Sequence, residues 1–96
     1  MVLQLRRYRI QSGQAEQFAR EWRSGVAPQR EKHGFRVTGW LIKDTDEFIW
    51  TLEHGDRESF ESAEAAYYAS AERKALKPDP ARLIEQADKD WVSVVV

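Results

Sequence analysis

Two histidines and an unusual density of aromatic rings are the side chains here whose types suggest chemistry. His54 lies in the stretch FIWTLEHGD, Phe48 to Asp56. That stretch alternates like a strand, so Phe48, Trp50, Leu52 and His54 point one way and Ile49, Thr51 and Glu53 the other. A histidine in line with a tryptophan at a strand end has two readings. It is a general base or ligand-orienting group at the polar end of a pocket walled by Trp50 and Leu52, or a strand-end residue whose ring bonds to loop backbone. His33, in EKHG, stands near a helix C-terminus, where the dipole favours a cation, and that alone accounts for it. The two histidines are too few and too far apart in sequence for a metal site. Cysteine is absent, which removes disulfides, Cys-ligated zinc, iron–sulfur clusters and thiol nucleophiles. No metal and no cofactor is called for.

The four Trp, four Phe and three Tyr carry the second candidate chemistry. Trp22, Trp40, Trp50, Trp91 and Tyr67 either line a cleft for a flat apolar ligand or fill the core and a dimer interface. Neighbours on a helix diverge, so one of Tyr67 and Tyr68 turns to the core while the other offers its hydroxyl to a cleft or rim. Arg6, Arg7 and Arg9 surround Tyr8 and either bind an acidic ligand or are solvated or paired with carboxylates.

The elements that must position these residues follow from periodicity and punctuation. Val2 to Ile10 reads as a first strand. Ser12 is the expected N-cap of a helix whose apolar stripe is Ala15, Phe18, Ala19, Trp22 and Val26. Pro28 should kink or end that helix, and Gly34 supplies a left-handed terminus. Phe35 to Lys43 is a second strand, KDTDE a hairpin turn, and Glu47 to His54 a third strand antiparallel to it. Asp56 caps a second helix with the stripe Phe60, Ala63, Ala66 and Tyr67. Asp79 and Pro80 start another short helix, whose buried face is Leu83, Ile84 and Ala87. Trp91 to Val96 is the expected fourth strand.

The order βαββαβ predicts an α+β, ferredoxin-like fold: a four-stranded antiparallel sheet with helices on one face. With one covered face, each strand should be apolar on one side only. Trp40 and Ile42 on the second strand, Ile49 on the third and the valines of the fourth break that rule. An apolar open face points to a second copy packed sheet to sheet.

Composition bounds the rest. With 96 residues, 42% hydrophobic and 32% charged, the chain reads as one globular domain, residues 1–96. Fifteen Lys+Arg against 16 Asp+Glu give a net charge of −1, so no electrostatic footprint for nucleic acid appears. The third strand also lacks the Lys/Arg-Gly-aromatic run of an RNA-recognition domain. MVLQLRRYRI is too short and too charged for a signal peptide, and no apolar run is long enough to span a membrane. A cytoplasmic location and no membrane partner are expected.

The segments LQLRRYRIQSGQAEQFAREW, APQREKHGFRVTGWL and EFIWTLEHGD, the last followed by an Ala- and Tyr-rich helix, resemble the NIPSNAP-like proteins of the dimeric α/β barrel superfamily. The resemblance covers nearly the whole chain. It rests on the Arg-Tyr first strand with its Gly-containing turn, the Pro-to-His-Gly end of the first helix, and the Trp of the third strand. It implies a homodimer whose two sheets form a central barrel, with small molecules bound between helices and sheet. Relatives in that superfamily include cofactor-independent and haem-degrading monooxygenases. The former often rely on an asparagine with a tryptophan and a histidine, and this sequence contains no asparagine. The latter place an axial histidine on the second helix, and Asp56 to Lys77 contains none. The expected function is therefore binding of a small apolar or aromatic molecule by a homodimer, at Trp22, Trp50, His54 and Tyr67. The alternatives are a monooxygenase-like enzyme, for which His54 is the one catalytic candidate, and a non-catalytic protein-interaction module.

Overall fold

The computed structural model describes residues 1–96. Strand β1 spans Val2–Ile10, β2 Arg36–Ile42, β3 Glu47–His54 and β4 Ile84–Val92; the helices are α1 Ala15–Glu21, α2 Ala27–Lys32, α3 Arg57–Ala69 and the short α4 Ala71–Lys74. The strands form one sheet in the order β2-β3-β1-β4, every neighbouring pair antiparallel. The helices cover one face of it, the ferredoxin-like arrangement expected from the element order.

Alternation along β1 turns Gln4, Arg6, Tyr8 and Ile10 toward the helices, and all four are buried. Phe48, Trp50 and Leu52 of β3 face the same way and are likewise buried. With Phe18, Trp22 and Val26 from the first helix, Phe60 from α3 and Leu83, they belong to a core cluster of 13 buried residues. On the other face the register sets Trp40 beside Ile49 and Leu5 beside Thr51. There Trp40 is 50% exposed and Ile42 37%, as the broken alternation of β2 predicted.

The first helix differs from its sequence reading at both ends of its apolar stripe. Gln14, not Ser12, occupies the N-cap position, and no side chain caps it. Gly13 at φ 77° turns the chain there, so Ser12 lies outside the helix. Pro28 does not end the helix. A π-helical turn, Trp22–Val26, joins α1 to α2, and the Ala27 N–H donates to the Trp22 carbonyl. The widened turn gives the proline, which has no N–H and needs room for its ring, a place at the start of α2. The helix then runs on to Lys32. Its end is a Schellman motif: Gly34 at φ 87°, with Gly34 N–H donating to Glu31 O at 3.0 Å and Phe35 N–H to Arg30 O at 3.1 Å.

Asp56 caps α3 as expected, its Oδ1 accepting the Ser59 N–H at 2.7 Å. The buried stripe below it is Phe60 and Tyr67. Between them Ala63 is partly buried against the core, as expected, and so is Glu64, while Ala66 is exposed. The segment after α4 departs further. Asp79 and Pro80 do start a helical turn, but it is a single 3-10 turn, Pro80–Leu83, in which Asp79 Oδ1 accepts the Ala81 N–H at 3.0 Å. The fourth strand is Ile84–Val92, not Trp91–Val96. Ala87 is therefore an exposed strand residue, and Val94, Val95 and Val96 lie beyond the sheet, at least 78% exposed. The run EQADKD has no apolar alternation because every one of its side chains is exposed; β4 is an edge strand held by its ladder to β1, from Leu3 opposite Val92 to Ile10 opposite Ile84. No helix is long and apolar enough to cross a membrane.

Candidate functional site

Between the first helix and the sheet lies a cavity of about 100 Å³. Its floor is Tyr8 of β1 and Trp50 of β3, and one wall is Phe18, Trp22, Val26 and Arg30. These four recur at every fourth position and so share one face of the α1–α2 helix. The far wall comes from Tyr67, Tyr68 and Arg73, and Pro80, Ala81 and Ile84 line the remaining side. The rings interlock edge to face: Trp22 on Trp50 at 5.5 Å and Tyr8 on Phe18 at 5.8 Å between centroids.

Three of the four expected binding residues, Trp22, Trp50 and Tyr67, are thus brought to one cavity, and His54 is not among its lining residues. It stands at the end of β3, where its Nδ1 accepts the Gly55 N–H at 2.8 Å. Its ring packs edge-on against Phe35, 5.0 Å between centroids. Its Nε2 faces Gly34, where an added Cβ would come within 3.0 Å. That is the loop-backbone role of the second reading. His33 also serves the helix end: its Nδ1–H donates to the Gln29 carbonyl at 2.9 Å. Trp91 packs on Phe60 at the margin of the helix-covered face, beneath the Arg57 guanidinium at 3.8 Å. Trp40 lies on the open face.

The polar end of the cavity is made instead by Arg30 with Glu64 behind it, two residues that sequence reasoning missed, together with Arg6 and the Tyr68 hydroxyl, which it had named. Arg30 is 1% exposed, and its guanidinium lies 4.1 Å from the centre of the Tyr67 ring. Its Nη2 donates to Glu64 Oε1 at 3.1 Å and to the Tyr68 hydroxyl at 3.3 Å. Glu64 Oε1 is held more closely by Arg6, whose Nε donates to Gln4 Oε1 at 2.7 Å. One carboxylate therefore serves two buried cations. Burial pushes the Glu64 carboxyl up, but Arg6 and Arg30 outweigh it and leave it below the ordinary carboxylate value. Arg30 itself is pushed down by its burial first and then by repulsion from Arg6. The Tyr67 phenol is raised by burial, against the pull of Arg30 and Arg73, so it is a proton donor and not a base. Arg7 and Arg9, on the same strand as Arg6 and either side of Tyr8, are exposed. One signal for Arg30 was available: it continues the four-residue spacing of Phe18, Trp22 and Val26.

The cavity lining contains no His, Cys, Ser or carboxylate, and no group of three or more His, Cys, Asp or Glu side chains anywhere in the chain is placed to hold a metal ion. Rings, phenol hydroxyls and guanidiniums are groups that bind and orient.

No protein-family model matches the sequence, and no curated protein matches it either. Solved structures match the fold. An uncharacterised NIPSNAP domain protein from Burkholderia xenovorans superposes with a TM-score of 0.86 at 14% identity, over 98% of this chain and 94% of that one. A NIPSNAP family protein from Agrobacterium tumefaciens gives 0.84 at 15% identity, over 96% and 90%. A putative antibiotic biosynthesis monooxygenase from Bacteroides thetaiotaomicron gives 0.74 at 12% identity, over 99% and 90%. The chain has the fold of NIPSNAP-domain proteins, and its likeness to the monooxygenase is weaker.

Proposed function

We propose that this chain is a NIPSNAP-like protein that works as a homodimer and binds a small aromatic or apolar molecule between helices and sheet. The observation that carries the reading is the convergence of Trp22, Trp50 and Tyr67 on one cavity. An apolar cavity of roughly 150 Å³ accepts benzene. One of about 100 Å³ takes a single ring with part of it in the mouth. The reading favours binding over oxygenase chemistry because the lining has no proton acceptor suited to start a reaction. The dimer rests on the open sheet face, where Trp40 and Ile42 are exposed, Trp40 is paired with Ile49, and Leu5 lies on the same face two strands away. A cytoplasmic location agrees with a chain free of cysteine.

The test uses the four tryptophans as separate reporters, each with one indole N–H resonance. Titration with toluene should shift Trp22 and Trp50 and leave Trp40 and Trp91 in place. Shifts confined to Trp40 and Trp91, or none at saturating toluene, would refute the cavity reading. Light scattering should give twice the 11.2 kDa chain mass, and a monomer at micromolar concentration would refute the dimer.

A further inference from the structure

Resting on that reading, we propose that the cavity's ligand carries an anion, of the class of an aromatic carboxylate, seated on the guanidinium of Arg30. Arg6 and Arg30 are each 1% exposed and share the single carboxylate of Glu64. Arg73, the one charged residue of the lining besides Arg30, has its own partner in Asp79, at 3.2 and 3.3 Å. Arg30 lines the cavity while Arg6 and Glu64 stand behind its wall, so the cluster at that end sets two buried cations against one anion. Burying a charge without a counterion is costly, and a ligand anion supplies the one that is missing.

Hydrogen bonding points the same way. Only Nη2 of Arg30 is engaged, and its Nε and Nη1 are buried with no partner in the protein. The indole N–H groups of Trp22 and Trp50, on the same lining, are also buried and unpartnered. Arg73 Nε is a further one, although its Nη atoms are paired with Asp79. Unpartnered buried donors are rare enough to need a reason, and here they belong to four residues of one cavity. The stacking of the guanidinium on Tyr67, Phe35 and Tyr68 accounts for how the free protein tolerates the charge, but ring faces cannot satisfy in-plane N–H donors. Arg30 is pushed below its ordinary value by burial and by Arg6, the direction an arriving anion would reverse. A planar carboxylate matches the guanidinium fork, and a ring attached to it falls between Trp22, Trp50 and Tyr67.

The experiment compares benzoate with benzamide, its neutral counterpart of equal shape, by calorimetry on the intact protein and on Arg30→Met and Arg30→Lys. The proposal expects benzoate to bind wild type about tenfold or more tighter than benzamide, as a charge-assisted contact should. Arg30→Met should lose that preference while still taking benzamide, and Arg30→Lys should keep part of it. The wild-type comparison needs no variant, so a misfolded Arg30→Met does not shelter the idea. Equal binding of the two probes overturns the anion while leaving the aromatic cavity standing. A benzoate preference that survives in folded Arg30→Met overturns Arg30 as its seat. Binding of neither probe overturns the cavity reading and this inference together.

Discussion

Gly39→Ala pits backbone propensity against packing at one position of β2. Glycine inside a strand is entropically costly, and on that ground alone alanine should stabilise by about 0.5–1 kcal/mol. The structure predicts the opposite sign. A Cβ at Gly39 would lie 2.7 Å from Phe48 Cζ and 2.9 Å from both Trp22 Cη2 and Cζ3. Both rings are buried, at 3% and 8% exposure, and they pack on each other with centroids 5.0 Å apart. Neither has a flexible end to swing away, so overpacking should cost about 1–3 kcal/mol. Set against each other, the two effects leave a net loss centred on about 1 kcal/mol, or roughly 4–8 °C in Tm for a domain of this size. Trp22 lines the cavity, and its retreat from the new methyl group should also weaken toluene binding. The control is Gly25→Ala, where the added Cβ would also meet an atom at 2.7 Å, but that atom is Cδ1 of the flexible Leu76 side chain. There the side chain can give way and the gain of about 0.5–1 kcal/mol remains, so its Tm should rise by roughly 2–8 °C. Thermal melts followed by circular dichroism decide the matter. A Gly39→Ala protein as stable as wild type, or more stable, would refute the argument from ring rigidity.

Glu64→Gln leaves Arg6 and Arg30 buried without a carboxylate and should cost about 2–4 kcal/mol in urea unfolding; a loss below about 0.5 kcal/mol would mean that the arginines do not depend on it. The folded-state pKa of Glu64 is depressed, so its contribution is complete above the unfolded value of about 4.3. It is lost as pH falls through the lower folded value. Stability should therefore hold from neutral pH to about pH 5 and decline below, less steeply in Glu64→Gln. His54→Ala gives up one hydrogen bond and an edge contact with Phe35, a cost of about 1–2 kcal/mol, and toluene affinity should not change; a tenfold loss of affinity would return His54 to the site. Removing Val94–Val96, exposed beyond β4, should leave the circular dichroism spectrum intact and weaken self-association. An unchanged dimer dissociation constant would show that the tail plays no part in it.

How far the sequence alone reached depended on whether the information was local. Alternation in β1 and β3, the Asp56 cap, the Gly34 terminus and the stripe through Phe18, Trp22 and Val26 are properties of neighbouring residues, and each appears in the structure as read. So does the element order, and with it the antiparallel sheet. Position of β4 was not local. A stretch whose side chains are all exposed has no hydrophobic period, and only the register with β1 shows that EQADKD is a strand and that the valines after it are not. The direction of the His54 ring was equally beyond reach, because alternation puts it on Trp50's side of the sheet without saying that Phe35 and the turn at Gly34 would claim it. The polar end of the cavity is the plainest case. Arg30 meets Glu64 across 34 residues of chain and Arg6 meets it across 58. A periodicity shows which face of a helix is buried; only the packing of α2 and α3 onto β1 decides that one carboxylate there is shared by two arginines.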